Sequence, residues 1–73
     1  MEMDIPKMIS VESSNLDSVG YDGQNLFVEF RSGSIYVYYG VPKQLYNELL
    51  DANSKGIFLN RNIKDIYPFE KIQ

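Results

Sequence analysis

Leu26-Phe27-Val28-Glu29-Phe30-Arg31-Ser32-Gly33-Ser34-Ile35-Tyr36-Val37-Tyr38-Tyr39 is the stretch on which the fold turns. Leu26, Val28 and Phe30 alternate with Phe27, Glu29 and Arg31, the two-residue period of a strand whose faces differ. β-Branched and aromatic residues fill both arms of the stretch, as a pleated surface prefers. Ser32-Gly33 breaks the pattern, and the length of that connection decides which side chains share a face. A two-residue loop pairs Phe30 with Ile35 and sets Val37 and Tyr39 beside Val28 and Leu26. A three-residue loop, with Gly33 left-handed as a G1 bulge, pairs Phe30 with Ser34. Val28 then faces Tyr36, and Leu26 faces Tyr38. Glycine at the third loop position favours the bulged form, because that residue must take φ > 0. The expected core face is Leu26, Val28, Phe30, Tyr36 and Tyr38; the opposite face shows Phe27, Ile35, Val37 and Tyr39.

Working outward, Ser18–Asp22 reads as a further strand with Val19 and Tyr21 on one face, joined through the turn chemistry of Asp22-Gly23-Gln24-Asn25. The three strands make an antiparallel meander. Residues 1–12 mix charges, Met and Pro without a sustained period and read as an arm, with a short pairing segment around Ile9–Val11. After the meander the period changes. Pro42 suits the first helical position, and Leu45, Tyr46, Leu49 and Leu50 form one apolar stripe. That helix is expected to end near Ala52, with Ser54 capping a second, shorter one whose buried side is Phe58, Leu59 and Ile63. Tyr67-Pro68 stops it, since a residue before proline is pushed to extended geometry. The expected fold is α+β: a three-stranded antiparallel β-meander with one longer and one short α-helix on one face. Residues 1–12 form the arm, 13–69 the domain and 70–73 a C-terminal tail.

The chain has 73 residues, with seven Lys+Arg against ten Asp+Glu, and no Cys, His or Trp. One domain is all this length supports. Missing cysteine and histidine remove the disulfide staple, the thiolate zinc site, the cysteine nucleophile and the usual base near neutral pH. The serines have no histidine to activate them. Asp17 and Asp22 fall on opposite pleat faces, and no Gly-rich phosphate loop occurs. No enzyme activity, cofactor or metal is expected. The opening Met1-Glu2-Met3-Asp4 is acidic where a secretory leader is basic, and Ile35–Val41 is too short and too tyrosine-rich to span a bilayer. The expectation is a cytoplasmic protein with no membrane partner.

Charge divides along the chain. Residues 1–30 hold six acids against Lys7 alone, whereas residues 31–73 hold six bases against four acids. Residues 52–64 carry Lys55, Arg61 and Lys64 and no acid.

The blocks Val19-Gly20-Tyr21-Asp22, Leu26-X-Val28-X-Phe30-X-Ser32-Gly33-X-X-Tyr36-X-Tyr38, Val41-Pro42 and Ser54-Lys55-Gly56, followed by Asn60, Ile63 and Tyr67, resemble the KTSC domain. That family takes its name from the C-terminus of some lysyl-tRNA synthetases and also occurs as a free-standing bacterial domain. The resemblance covers roughly residues 13–69 and puts the family's central Tyr-X-Tyr on Tyr36 and Tyr38. It implies no activity; its synthetase context suggests contact with RNA or tRNA.

Three surfaces follow. Tyr36 and Tyr38 are expected to be a structural core motif, packed against Leu45, Leu49 and Phe58. Lys43, Ser54, Lys55, Gly56, Arg61 and Lys64 are the candidate nucleic-acid surface, since backbone N–H groups at a helix start favour an anion. Gly56 there either admits a ligand or lets the helix pack closely, the second being the expected reading. Phe27, Ile35, Val37 and Tyr39 are the candidate interaction face, an apolar patch to be covered by the arm through Ile5, Met8 and Ile9, by a second copy or by another protein. The expected function is a non-catalytic module binding RNA at the basic helix start, or alternatively a protein-interaction or self-associating domain using the outer sheet face.

Overall fold

A computed structural model describes residues 4–73, which run through β1 (Ile9–Ser10), β2 (Leu16–Tyr21), β3 (Leu26–Phe30), β4 (Ile35–Tyr38), α1 (Lys43–Asp51), α2 (Lys55–Asn62) and β5 (Phe69–Lys71). The first three residues of the expected arm, with most of the acidic opening, lie outside the described residues. The strands form one antiparallel sheet in the order β1-β2-β3-β4-β5. The α+β class with two helices holds, but the sheet has five strands where the alternation predicts three. Both additions are edge strands of two or three residues, too short to show a period. Phe69–Lys71 straddles the expected boundary between the domain and the tail at residues 69 and 70, and Gln73 continues the ladder, its carbonyl accepting from the Ile35 N–H at 2.8 Å.

Gly33 sets the register of the central hairpin. It has φ 97°, its N–H donates to the Phe30 carbonyl, and the Phe30 N–H donates to the Ser34 carbonyl, both at 2.9 Å. This is the bulged three-residue loop, and it pairs Val28 with Tyr36 and Leu26 with Tyr38. A second irregularity, between Leu16 and Ser18 of β2, leaves Asp17 exposed while Leu16 and Ser18 stay buried.

The helices cover the face of Leu26 and Val28. Leu16, Val19, Leu26, Val28 and Tyr38 pack with Val41, Tyr46, Leu49, Leu59 and Ile63 in one cluster. Tyr21 lies on Tyr46 with ring centroids 5.0 Å apart, and its hydroxyl donates to the Val41 carbonyl. Pro42, expected at the first helical position, is instead the N-cap with ψ 148°; its carbonyl takes the first helical bonds, from Leu45 and Tyr46. Ser54 caps α2, its hydroxyl oxygen accepting from the Ile57 N–H.

The opposite face is not an open patch. Phe27 and Val37 are fully buried, Ile35 is nearly so, and Tyr39 donates its hydroxyl to Glu70 Oε1 at 2.9 Å. The chain at Pro6–Met8 crosses this face over Gly20, the cross-strand neighbour of Phe27.

Candidate functional site

Where α2 leaves the end of the β3–β4 hairpin, a cleft of about 540 Å³ remains. Phe30 from the end of β3, Tyr36 and Tyr38 from β4 and Phe69 from β5 bring four aromatic rings to it. The Phe30 and Tyr36 rings meet edge-on at 86°, with centroids 5.4 Å apart. Phe69, half exposed, leans on both tyrosines with centroids 5.9 Å from each. Such edge-on and tilted contacts suit the ring quadrupoles and fix the orientation of each ring. Tyr38 is almost fully buried, Tyr36 only partly. Burial raises the Tyr38 phenol above its ordinary value, and the neighbouring Tyr36 and Asp65 add to the rise, because each disfavours a second negative charge.

The polar rim is built by turns. Ser13 Oγ accepts from the N–H groups of Asn15 and Leu16, closing a tight loop. Arg31 clamps this loop twice: its N–H donates to the Asn15 carbonyl at 2.9 Å and its Nε to the Ser13 carbonyl at 2.8 Å. Ser14 and Asn15 thereby reach the cleft beside Arg31, Ser32 and Ser34. Across from them α2 supplies Leu59 and Asn60. Lys64 follows one turn later, its N–H bonded to the Leu59 carbonyl at 2.8 Å, and Asp65 at φ 68° turns the chain away. Among the described residues, two cations and no carboxylate line the cleft of a chain whose net charge is −3.

The six residues expected at the nucleic-acid surface are not brought together here. Only Lys64 reaches the cleft. Lys55 Nζ donates to the Ala52 carbonyl at 3.0 Å, and Ser54 is occupied as the cap. Gly56 is buried, and a Cβ on it would stand 3.2 Å from Asn15 Nδ2, so it permits close packing rather than ligand approach. Lys43 and Arg61 are exposed on their helices. The cleft uses Arg31, Asn15, Asn60 and Phe69, which no spacing in the sequence unites. Tyr36 and Tyr38 keep their place on the core side, though Tyr36 also serves as cleft wall.

The KTSC domain model matches residues 12–67, the span that holds the hairpin, both helices and most of the cleft lining.

The chain belongs to the KTSC domain family.

The crystal structure of a KTSC domain protein from Yersinia pestis superposes with a TM-score of 0.88 at 35% identity, covering 92% of this chain and 97% of that one. A protein of Tsukamurella paurometabola is 42% identical over 59 residues, 78% of this chain and 88% of its own length. A lysine–tRNA ligase of Nostoc punctiforme is 36% identical over 67 residues, 89% of this chain but 12% of the ligase. This KTSC domain thus resembles both small proteins and a minor part of a large enzyme. No helix among its described residues is long and apolar enough to cross a membrane.

Proposed function

We propose that this KTSC domain is a non-catalytic module that binds RNA at the face where the aromatic cleft opens. Arg31 and Lys64, on the rim of a cleft that no carboxylate among the described residues lines, carry the reading. In a chain with net charge −3, two cations lining a cleft beside exposed aromatic surface favour a ligand with both negative charge and flat rings. The likeness to part of lysine–tRNA ligases supports tRNA as the class of partner. Lys43 and Arg61, exposed on their helices, extend the same basic half of the chain and add phosphate contacts beyond the cleft. The cytoplasm, where RNA is abundant, is the matching location. The second surface, on Phe27, Ile35, Val37 and Tyr39, is not carried forward, because the arm already lies on that face.

Fluorescence anisotropy of labelled tRNA, measured across a salt series, tests the reading. Affinity is expected to fall linearly on logarithmic axes, and Lys64→Gln to reduce the slope by about one, as the loss of one phosphate contact requires. Absence of binding at low salt, or a slope unchanged by Lys64→Gln, rejects it.

A further inference from the structure

A phosphate alone needs only the cations of the rim, so the rings and amides of the cleft call for a further ligand group. The volume of about 540 Å³ lies inside the range of about 300–1,000 Å³ that holds one small ligand. Phe69 presents a half-exposed ring, and Tyr36 beside it is held in place edge-on by Phe30. A flat aromatic group laid on the Phe69 ring, with the Tyr36 ring tilted 40° beside it, replaces water on an apolar surface. Asn60 adds a donor and an acceptor on one planar amide, the complement of a base edge.

We propose that the cleft takes one unpaired nucleotide of an RNA chain, its base stacked on the half-exposed Phe69 ring with its edge toward Tyr36, and its phosphate held by Arg31 and Lys64. This rests on the RNA reading above and adds a requirement to it. A duplex keeps both faces of each base stacked and its pairing edge occupied, so only a loop, bulge or free end can offer a base to the cleft. The domain then distinguishes single-stranded from paired RNA by shape, using rings that the sheet has already fixed.

The test follows the aromatic ring resonances of the isotope-labelled protein at low salt during addition of a short single-stranded RNA, a blunt RNA duplex, or adenosine monophosphate. The single strand is expected to shift the Tyr36 and Phe69 rings and the Asn60 side-chain amide, and to bind at least tenfold more tightly than the duplex. Phe69→Ala is expected to weaken single-strand binding roughly tenfold, as removal of one stacking ring does. The ring shifts of the unaltered protein answer the question even if Phe69→Ala loosens the edge strand. Equal binding of strand and duplex with the rings unmoved overturns the base pocket and leaves RNA binding standing. Adenosine monophosphate binding as tightly as the strand reassigns the cleft to free nucleotides and overturns the proposal. If neither RNA binds, the underlying RNA reading fails with it.

Discussion

Met8 crosses Gly20 so closely that a Cβ on Gly20 would stand 2.7 Å from the Met8 sulfur. The sulfur lies near the end of a flexible side chain and can move. The Lys7 carbonyl oxygen, 3.0 Å from the same point, is backbone and cannot move without shifting the arm. The bare backbone of β2 at Gly20 is therefore what lets Pro6–Met8 lie over the face that holds Phe27 and Val37.

Gly20→Val should accordingly destabilise the domain by about 1–3 kcal/mol, the usual cost of inserting methyl groups into a filled site. Strand propensity alone predicts the reverse, since valine suits a strand better than glycine. Urea titration decides between the two. Hydrogen exchange should also quicken at Ile9 and Ser10, and the uncovered Phe27 face should make the variant self-associate as concentration rises in light scattering. A more stable Gly20→Val monomer would show that the arm is not held by this crossing.

At Gly33 the cost of a side chain is purely conformational. Nothing among the described residues lies within 4 Å of a Cβ there, yet φ is 97°. Gly33→Ala should lose about 1–2 kcal/mol from the left-handed backbone penalty, read as a lowered melting temperature, and Gly33→Asn should lose less. If alanine costs nothing, the bulged loop does not set the register.

The hairpin was legible because glycine at the third loop position states its own backbone requirement, and that one residue placed Tyr36 and Tyr38 inward. The helices were legible from their apolar stripe and from Ser54. β5 was not, because a three-residue edge strand with every residue exposed has no buried period, and its pairing with β4 is a tertiary fact. The cleft was not legible for the same reason. Its lining joins Asn15, Arg31, Asn60 and Phe69, which meet only through the Arg31 clamp on the Ser13–Asn15 loop and the return of the chain after Pro68. The charge pattern singled out Lys64, which lines the cleft, and the expected close packing at Gly56 is met by Asn15, whose Nδ2 would stand 3.2 Å from a Cβ there.

Asp22 gives the domain an acid-sensitive turn. Slight burial opposes its ionisation, but the N–H groups of Asn25 and Gln24 and the Asn25 side-chain amide all donate to its carboxylate, and together they hold it below the ordinary 3.8. A depressed folded-state value contributes stability above the unfolded value that is lost as pH falls through the folded one. Stability should therefore decline as pH drops below about 4. Asp22→Asn should lower stability at neutral pH and flatten the acid limb, as followed by thermal melts from pH 6 to pH 2. An acid limb unchanged by Asp22→Asn would assign that loss to other carboxylates.

Asp65 holds two properties in one residue, and they can be separated. Its φ of 68° is a left-handed geometry that Asn and Asp tolerate better than other residues with a side chain. Its charge contributes, after burial and Tyr36, to raising the Tyr38 phenol. Asp65→Asn keeps the backbone preference and removes the charge, so stability should stay within about 0.5 kcal/mol. The Tyr38 phenol should titrate at lower pH, as a ring-resolved pH series would show. Removing a carboxylate beside the cleft should also strengthen polyanion binding in low salt, an effect that fades as added salt screens the charge. Asp65→Ala makes the same electrostatic change but should lose about 1–2 kcal/mol in the left-handed backbone. If Asp65→Asn leaves both the phenol and the polyanion affinity where they were, Asp65 serves the turn alone and the field at the cleft is set by Arg31 and Lys64.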